Sequence, residues 1–152
     1  MRIWVDADAA PRDVKDIVAR AAARLQIETS FVANQRLFVP LNNSHVKAVR
    51  VDGGPDVADR YIADMAERGD VAVTADIPLA AILVAKGVAV LDPRGVLYSE
   101  ENVRERLSIR DFMDSLRSSG IDTGGPKTFG PREKQAFAAA LDRVLTAALR
   151  RS

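Results

Sequence analysis

Ile3-Trp4-Val5-Asp6-Ala7-Asp8-Ala9-Ala10-Pro11 is the stretch that decides the fold. A short apolar run stops at two carboxylates and then meets a proline, a residue suited to the first turn of a helix because its missing N–H is not needed there. Val14, Ile17, Val18, Ala21, Ala22 and Leu25 follow at helical spacing, so the segment reads as a strand feeding an amphipathic helix. The same succession recurs downstream. Short apolar runs at 27–32, 46–51, 71–74 and 88–91 alternate with longer amphipathic stretches, the pattern of βαβ units. The expectation is an α/β protein with a mostly parallel central sheet flanked by helices.

The remaining elements follow from local signals. Gly53-Gly54-Pro55 turns the chain into a helix expected over 56–67, with Val57, Tyr61, Ile62 and Met65 facing inward. Another starts at Asp76, where the side chain can cap free amides and Pro78 lies in the first turn, with Leu79, Ile82 and Leu83 inward and Gly87 as its stop. Residues 34–44 hold Pro40 and several asparagines and read as an irregular connection. After Leu91 the strand-like runs end, and two helices are expected over 100–117 and 131–150. In the second of these, Phe137, Leu141, Val144, Leu145 and Ala148 form one stripe. One domain is expected over 1–152, with a core at about 1–92 and a C-terminal helical extension at about 98–152.

Composition narrows the chemistry. The chain has 152 residues, 47% hydrophobic and 28% charged, enough apolar material for one core and too much for disorder. A formal net charge of +1 does not suit a nucleic-acid coat protein, so any contact with nucleic acid has to be local. There is no cysteine and one histidine, His45, which excludes disulfides, thiolate nucleophiles and the zinc signatures built on Cys or paired His. The start of the chain is too acidic for a signal peptide, and no apolar run approaches the ~20 residues that span a bilayer. A cytoplasmic protein with no membrane association is expected.

Position singles out the carboxylates. Val5 leads to Asp6, Val51 to Asp52, Thr74-Ala75 to Asp76, and Leu91 to Asp92. Parallel strands would deliver these side chains to one sheet edge, the edge where open α/β sheets bind ligands. Asp8, Asp56 and Asp59 lie just beyond two of the ends, with Asp56 and Asp59 on one helix face. Unit charges about 4 Å apart repel by about 4 kcal/mol at an effective dielectric near 20, so the cluster calls for a cation or a proton. Oxygen ligands without Cys or a His cluster favour Mg2+ or Mn2+. Asp6, Asp8, Asp59 and Asp76 are the candidate catalytic and metal-binding residues, with Asp56 as a further metal ligand that equally suits the positive end of its helix. Asp52, Asp70 and Asp92 read as turn or capping residues.

Several motifs together carry a resemblance: Ile3-Trp4-Val5-Asp6-Ala7-Asp8-Ala9 with Pro11, Val32-Ala33-Asn34, Asp56-Val57-Ala58-Asp59, Thr74-Ala75-Asp76-Ile77-Pro78-Leu79-Ala80, Pro93-Arg94-Gly95, Arg110-Asp111-Phe112 and Thr123-Gly124-Gly125-Pro126. The chain resembles the bacterial YaiI/YqxD family, which is similar to PIN-like domains, commonly metal-dependent ribonucleases with a carboxylate cluster at the edge of a parallel sheet. That resemblance implies a phosphodiesterase acting on RNA by in-line attack of an activated water, with Asp6 and Asp8 on the first strand end, Asp59 and Asp56 on the acidic helix, and Asp76 after the fourth strand. Relatives usually read Asp-Ala-Cys-Pro where this chain has Asp8-Ala9-Ala10-Pro11, so no role for that thiol carries over.

Other residues add weaker expectations. Asn34, Arg94 and Lys127 are candidate substrate-binding residues, with Arg94 equally able to pair with an acidic neighbour. Basic residues such as Arg12, Lys15, Arg106 and Arg110 could guide RNA or simply solvate helix faces. Thr74, Trp4 and His45 read as structural. Two rival functions remain. Asp6-Ala7-Asp8 imitates the nucleophile motif of haloacid-dehalogenase-like phosphatases, with Asp6 as nucleophile and Asp8 as acid/base. The chain could also be a non-catalytic module binding RNA or a protein partner.

Overall fold

The computed structural model describes residues 1–35, 44–54, 56–121 and 128–151. Five strands, β1 (Ile3–Asp6), β2 (Thr29–Ala33), β3 (Val46–Arg50), β4 (Val71–Val73) and β5 (Ala89–Leu91), form one sheet in the order β3-β2-β1-β4-β5. Every pairing between them is parallel, so the sheet is wholly rather than mostly parallel. The helices described are α1 (Arg12–Leu25), α2 (Val57–Met65), α3 (Ile77–Lys86), α4 (Glu100–Ser118) and α5 (Pro131–Arg151).

Strand alternation divides the interior into two layers. Ile3, Val5, Phe31, Val71 and Val73 face α1 and α5, packing with Val14, Val18, Phe137, Leu141 and Leu145. Trp4, Val32, Ala72 and Val90 face the other side, against Ile62, Leu79, Leu83 and Val103 of α2, α3 and α4. The α5 stripe read from the sequence is buried at every position, and it joins the same cluster as β1, β2, β4 and β5. Gly95 permits this docking: its φ is +90°, and a Cβ there would lie 2.7 Å from the Ala136 carbonyl oxygen of α5.

Some expectations shift. The second strand starts at Thr29 rather than 27, because Gln26 adopts a left-handed conformation and Ile27 N–H closes α1 on the Ala22 carbonyl. Met65 and Ile82, expected inside, are 43% and 54% exposed. Ile82 lies outside the buried set of α3, Leu79, Ala80 and Leu83, and just past α2 the buried residue is Ala66. In α4 only Val103 is fully buried, and Phe112 is 62% exposed. The irregular connection falls largely on 36–43, outside the described residues, as do Lys127 and the Thr123-Gly124-Gly125-Pro126 motif.

Candidate functional site: a carboxylate crevice at the strand ends

From β1 the chain builds outward to β2 and β3, then returns to place β4 and β5 on the other flank. Strand order therefore reverses between β1 and β4, and the crevice beyond their carboxyl ends is where this architecture holds ligands. Asp6 is the last residue of β1 and Thr74 the first beyond β4. The Thr74 hydroxyl donates to Asp6 Oδ2 at 3.0 Å and accepts the Asp76 amide at 3.0 Å. A hydroxyl has one proton, and the amide occupies an acceptor site, so that proton is directed at Asp6.

Asp76 caps α3 as expected, accepting the Leu79 amide on Oδ1 at 2.9 Å. The same side chain meets Asp59, in the first turn of α2. Burial pushes the Asp59 carboxyl up to about 7, helped by a hydrogen bond with Asp76 and by the charges of Asp76, Asp6 and Asp56. Asp6, 7% exposed, is also raised, mainly by burial, with the Thr74 hydrogen bond opposing and Asp76 and Asp8 adding repulsion. Asp8 is exposed and accepts the Asn34 backbone amide at 2.8 Å, so Asn34 meets a carboxylate through its main chain.

Asp56 is the N-cap residue of α2 but makes no capping bond; its φ of +64° places it in the left-handed region that Asp tolerates better than most residues. The first turns of α1 and α2 thus lack side-chain caps, and their amide ends point toward the carboxyl edge. Among the described residues, no group of three or more His, Asp or Glu side chains is arranged to hold a metal ion. What converges is the Asp59–Asp76 pair, with Asp6 next to it and Asp8 and Asp56 at the rim.

The residues read as structural behave accordingly. Asp70, 6% exposed, accepts the Arg2 amide, the Trp4 indole N–H and the Glu67 amide at 2.9 to 3.0 Å. Trp4 is a core residue, edge-on to Tyr61 at 6.2 Å. His45 stands just before β3, with Nδ1 3.9 Å from a Glu28 oxygen. Asp92 accepts the Arg94 and Val96 amides on Oδ1, both at 2.9 Å. The Arg94 side chain turns toward α5: it bonds the Thr128 carbonyl at 3.1 Å, lies 3.6 Å from Glu133 and covers Phe129. Among the described residues its acidic neighbour is thus Glu133 of α5.

One pair escaped the sequence reading. Tyr98 is buried, and Arg106 of α4 donates from Nη1 both to Asp92 Oδ2 at 3.0 Å and to the Tyr98 hydroxyl at 3.2 Å. Burial raises the Tyr98 phenol, with Asp92 adding to the rise and Arg106 opposing it; Asp76 adds a smaller contribution. Arg106 and Asp92 are 14 residues apart, and no local pattern marks them as partners.

A cavity of 610 Å³ opens at the opposite edge, lined by Met1, Arg68, Asp70, Val88, Ala89 and Arg151 among others. Helices end there, so Arg68 over the α3 cap at Gly87 and Arg151 in the last turn of α5 complement carbonyl dipoles. Those same dipoles oppose an anionic ligand, and no carboxylate cluster lines that cavity.

Fold and site define an α/β protein of parallel-sheet type with a carboxylate crevice at its topological switch point. A family model described as the uncharacterised YaiI/YqxD family matches residues 4–147. The chain belongs to that family. It is 58% identical over 146 residues to a UPF0178 protein of Myxococcus xanthus, covering 96% of this chain and 95% of that one. A UPF0178 protein of Syntrophobacter fumaroxidans is 56% identical over 146 residues with the same coverage, and one of Trichlorobacter lovleyi 55% over 153. No solved structure matches the chain. Among the described residues no helix is long and apolar enough to cross a membrane.

Proposed function

We propose that the protein is a metal-dependent phosphodiesterase of PIN-like type acting on RNA. The observation that carries this reading is the gathering of Asp6, Asp59 and Asp76 at the switch point, where the Thr74 hydroxyl links Asp6 to the Asp76 amide and Asp76 meets Asp59, with burial and acidic neighbours raising the Asp59 carboxyl. Without a counter-charge, such a group of carboxylates retains a proton at neutral pH. A divalent cation offsets the same repulsion.

The donor set suits a hard cation. Mg2+ keeps several waters and needs only one or two carboxylates together with substrate phosphate, so a ready-made cage of three side chains is not required. Asp6, Asp59 and Asp76 would hold Mg2+ or Mn2+, with Asp8 and Asp56 within the same field. When bound, the ion supplies charge neutralisation and acidifies water for in-line attack on a phosphodiester.

The chain's own residues contribute the rest. Thr74 fixes the orientation of Asp6, whose burial limits competing water. Asp59, raised toward neutral pH in the metal-free site by burial and its acidic neighbours, would have that repulsion offset on holding the ion. The uncapped starts of α1 and α2 turn positive dipole ends toward an incoming phosphate.

The test is cleavage of single-stranded RNA by purified protein with Mn2+, beside Asp6→Asn and Asp59→Asn variants confirmed as folded. Turnover lost in both variants and in chelator supports the hydrolase. Full turnover in a folded Asp6→Asn variant removes Asp6 from the chemistry. Transfer of phosphate from a monoester to Asp6 would favour the haloacid-dehalogenase alternative, and chelator-resistant RNA binding without turnover would favour a binding module.

A further inference from the structure

The geometry points to Arg106 as the anchor for a backbone phosphate flanking the reacting one, making the edge beyond β5 a nucleotide subsite. This inference rests on the phosphodiesterase reading and adds to it the residue that holds the strand.

A guanidinium carries five N–H donors. The Nη1 pair is committed, to Asp92 Oδ2 and to the Tyr98 hydroxyl. The Nε and Nη2 donors have no partner among the described residues, and together they form the edge that donates to two phosphate oxygens side by side. The side chain is 32% exposed, so that edge is reachable.

The group is also held in place. Asp92 is itself fixed by two backbone amides, and the guanidinium carbon lies 5.0 Å from the centre of the Tyr98 ring. Little side-chain freedom remains to be lost when a ligand binds. Asp92 follows β5, and the strands run β1-β4-β5 at this end. Two strand spacings put Asp92 about 10 Å along the edge from Asp6, and Arg106 is bonded to Asp92 from α4, a separation suited to a neighbouring phosphate rather than the one under attack. Arg94 does not compete for this role, since its guanidinium is engaged with Thr128 and Glu133.

Fluorescence anisotropy of a short labelled oligoribonucleotide, in chelator and over a range of salt, tests the subsite without turnover. Arg106→Gln is expected to weaken binding about tenfold, the size of one lost charge-assisted contact. It should also lower the slope of log K against log salt by about 0.7, one phosphate contact on a single strand. Arg106→Lys keeps the charge, and therefore the salt slope, while losing the two-oxygen grip; it guards against a fold defect in the Gln variant. Arg143→Gln on α5 removes the same charge elsewhere and should change neither quantity.

Wild-type affinity and slope in both Arg106 variants overturn the subsite, as does failure of the native protein to bind the oligonucleotide. If binding depends on Arg106 but no cleavage occurs with Mn2+, the subsite stands and the hydrolase falls. If cleavage occurs and KM ignores Arg106, the reverse holds.

Discussion

Asp6 and Asp70 lie at opposite edges of one sheet, are 7% and 6% exposed, and live in opposite chemical surroundings. Asp70 is surrounded by donors, two backbone amides and the Trp4 indole, and ties β1 to the turn before β4. Among the described residues Asp6 receives one side-chain donor, from Thr74, and is repelled by Asp76 and Asp8. Burial of a carboxylate costs free energy unless hydrogen bonds replace its water. At Asp70 they do; at Asp6 a single hydroxyl relieves only part of the cost, the mark of a site kept for something other than stability.

The largest effect expected from this contrast is on activity. Asn at position 59 or 6 should reduce Mn2+-dependent RNA cleavage by at least about a hundredfold, since even an outer partner of a metal ligand is worth up to that much and these carboxylates would hold the ion directly. The same substitution at Asp70 should leave the site chemistry alone and instead weaken the fold. Asp70→Asn turns an amide donor toward donors, with an expected loss of about 2 kcal/mol in urea unfolding. Equal stability of the two variants would erase the distinction between the edges.

Asp6→Asn goes the other way. Removing a charge from a repelling group should raise metal-free stability at neutral pH by about 0.5 to 1 kcal/mol, read from the same unfolding curves, as commonly happens where function is relaxed. A loss as large as that at Asp70 would show Asp6 to be a structural residue.

The smallest effect is a pH slope. The folded state holds the Asp59 proton more tightly than the unfolded chain does. Its contribution is therefore complete below the unfolded value of 3.8 and disappears as pH rises through about 7. Metal-free melting temperature should fall across that window, and Asp59→Asn should flatten the fall. The half-exposed position of Asp59 keeps the effect modest, because solvent screens it.

Much of this was legible along the chain. Asp76 announced a helix cap through the proline two residues later, and the five apolar positions of α5 gave away its buried face by spacing alone. Asp6 stood out because an apolar run ends on it. Less legible was how far each carboxylate would matter. Asp56, open between a metal ligand and a residue favouring the start of its helix, adopts a left-handed conformation at the N-cap position. Arg94 was open between a phosphate and an acidic partner and lies against Glu133 of α5, while Arg106 read only as one of several basic helix residues, with nothing local to mark its pairing with Asp92.

Hydrophobic period and cap chemistry act over a few residues, so order in the chain sufficed to determine the strands, the helices and the delivery of aspartates to one edge. Which aspartates are quenched by donors and which are left to repel one another depends on groups up to 68 residues apart. Only the closed sheet, through desolvation and short-range hydrogen bonding between distant segments, decided that.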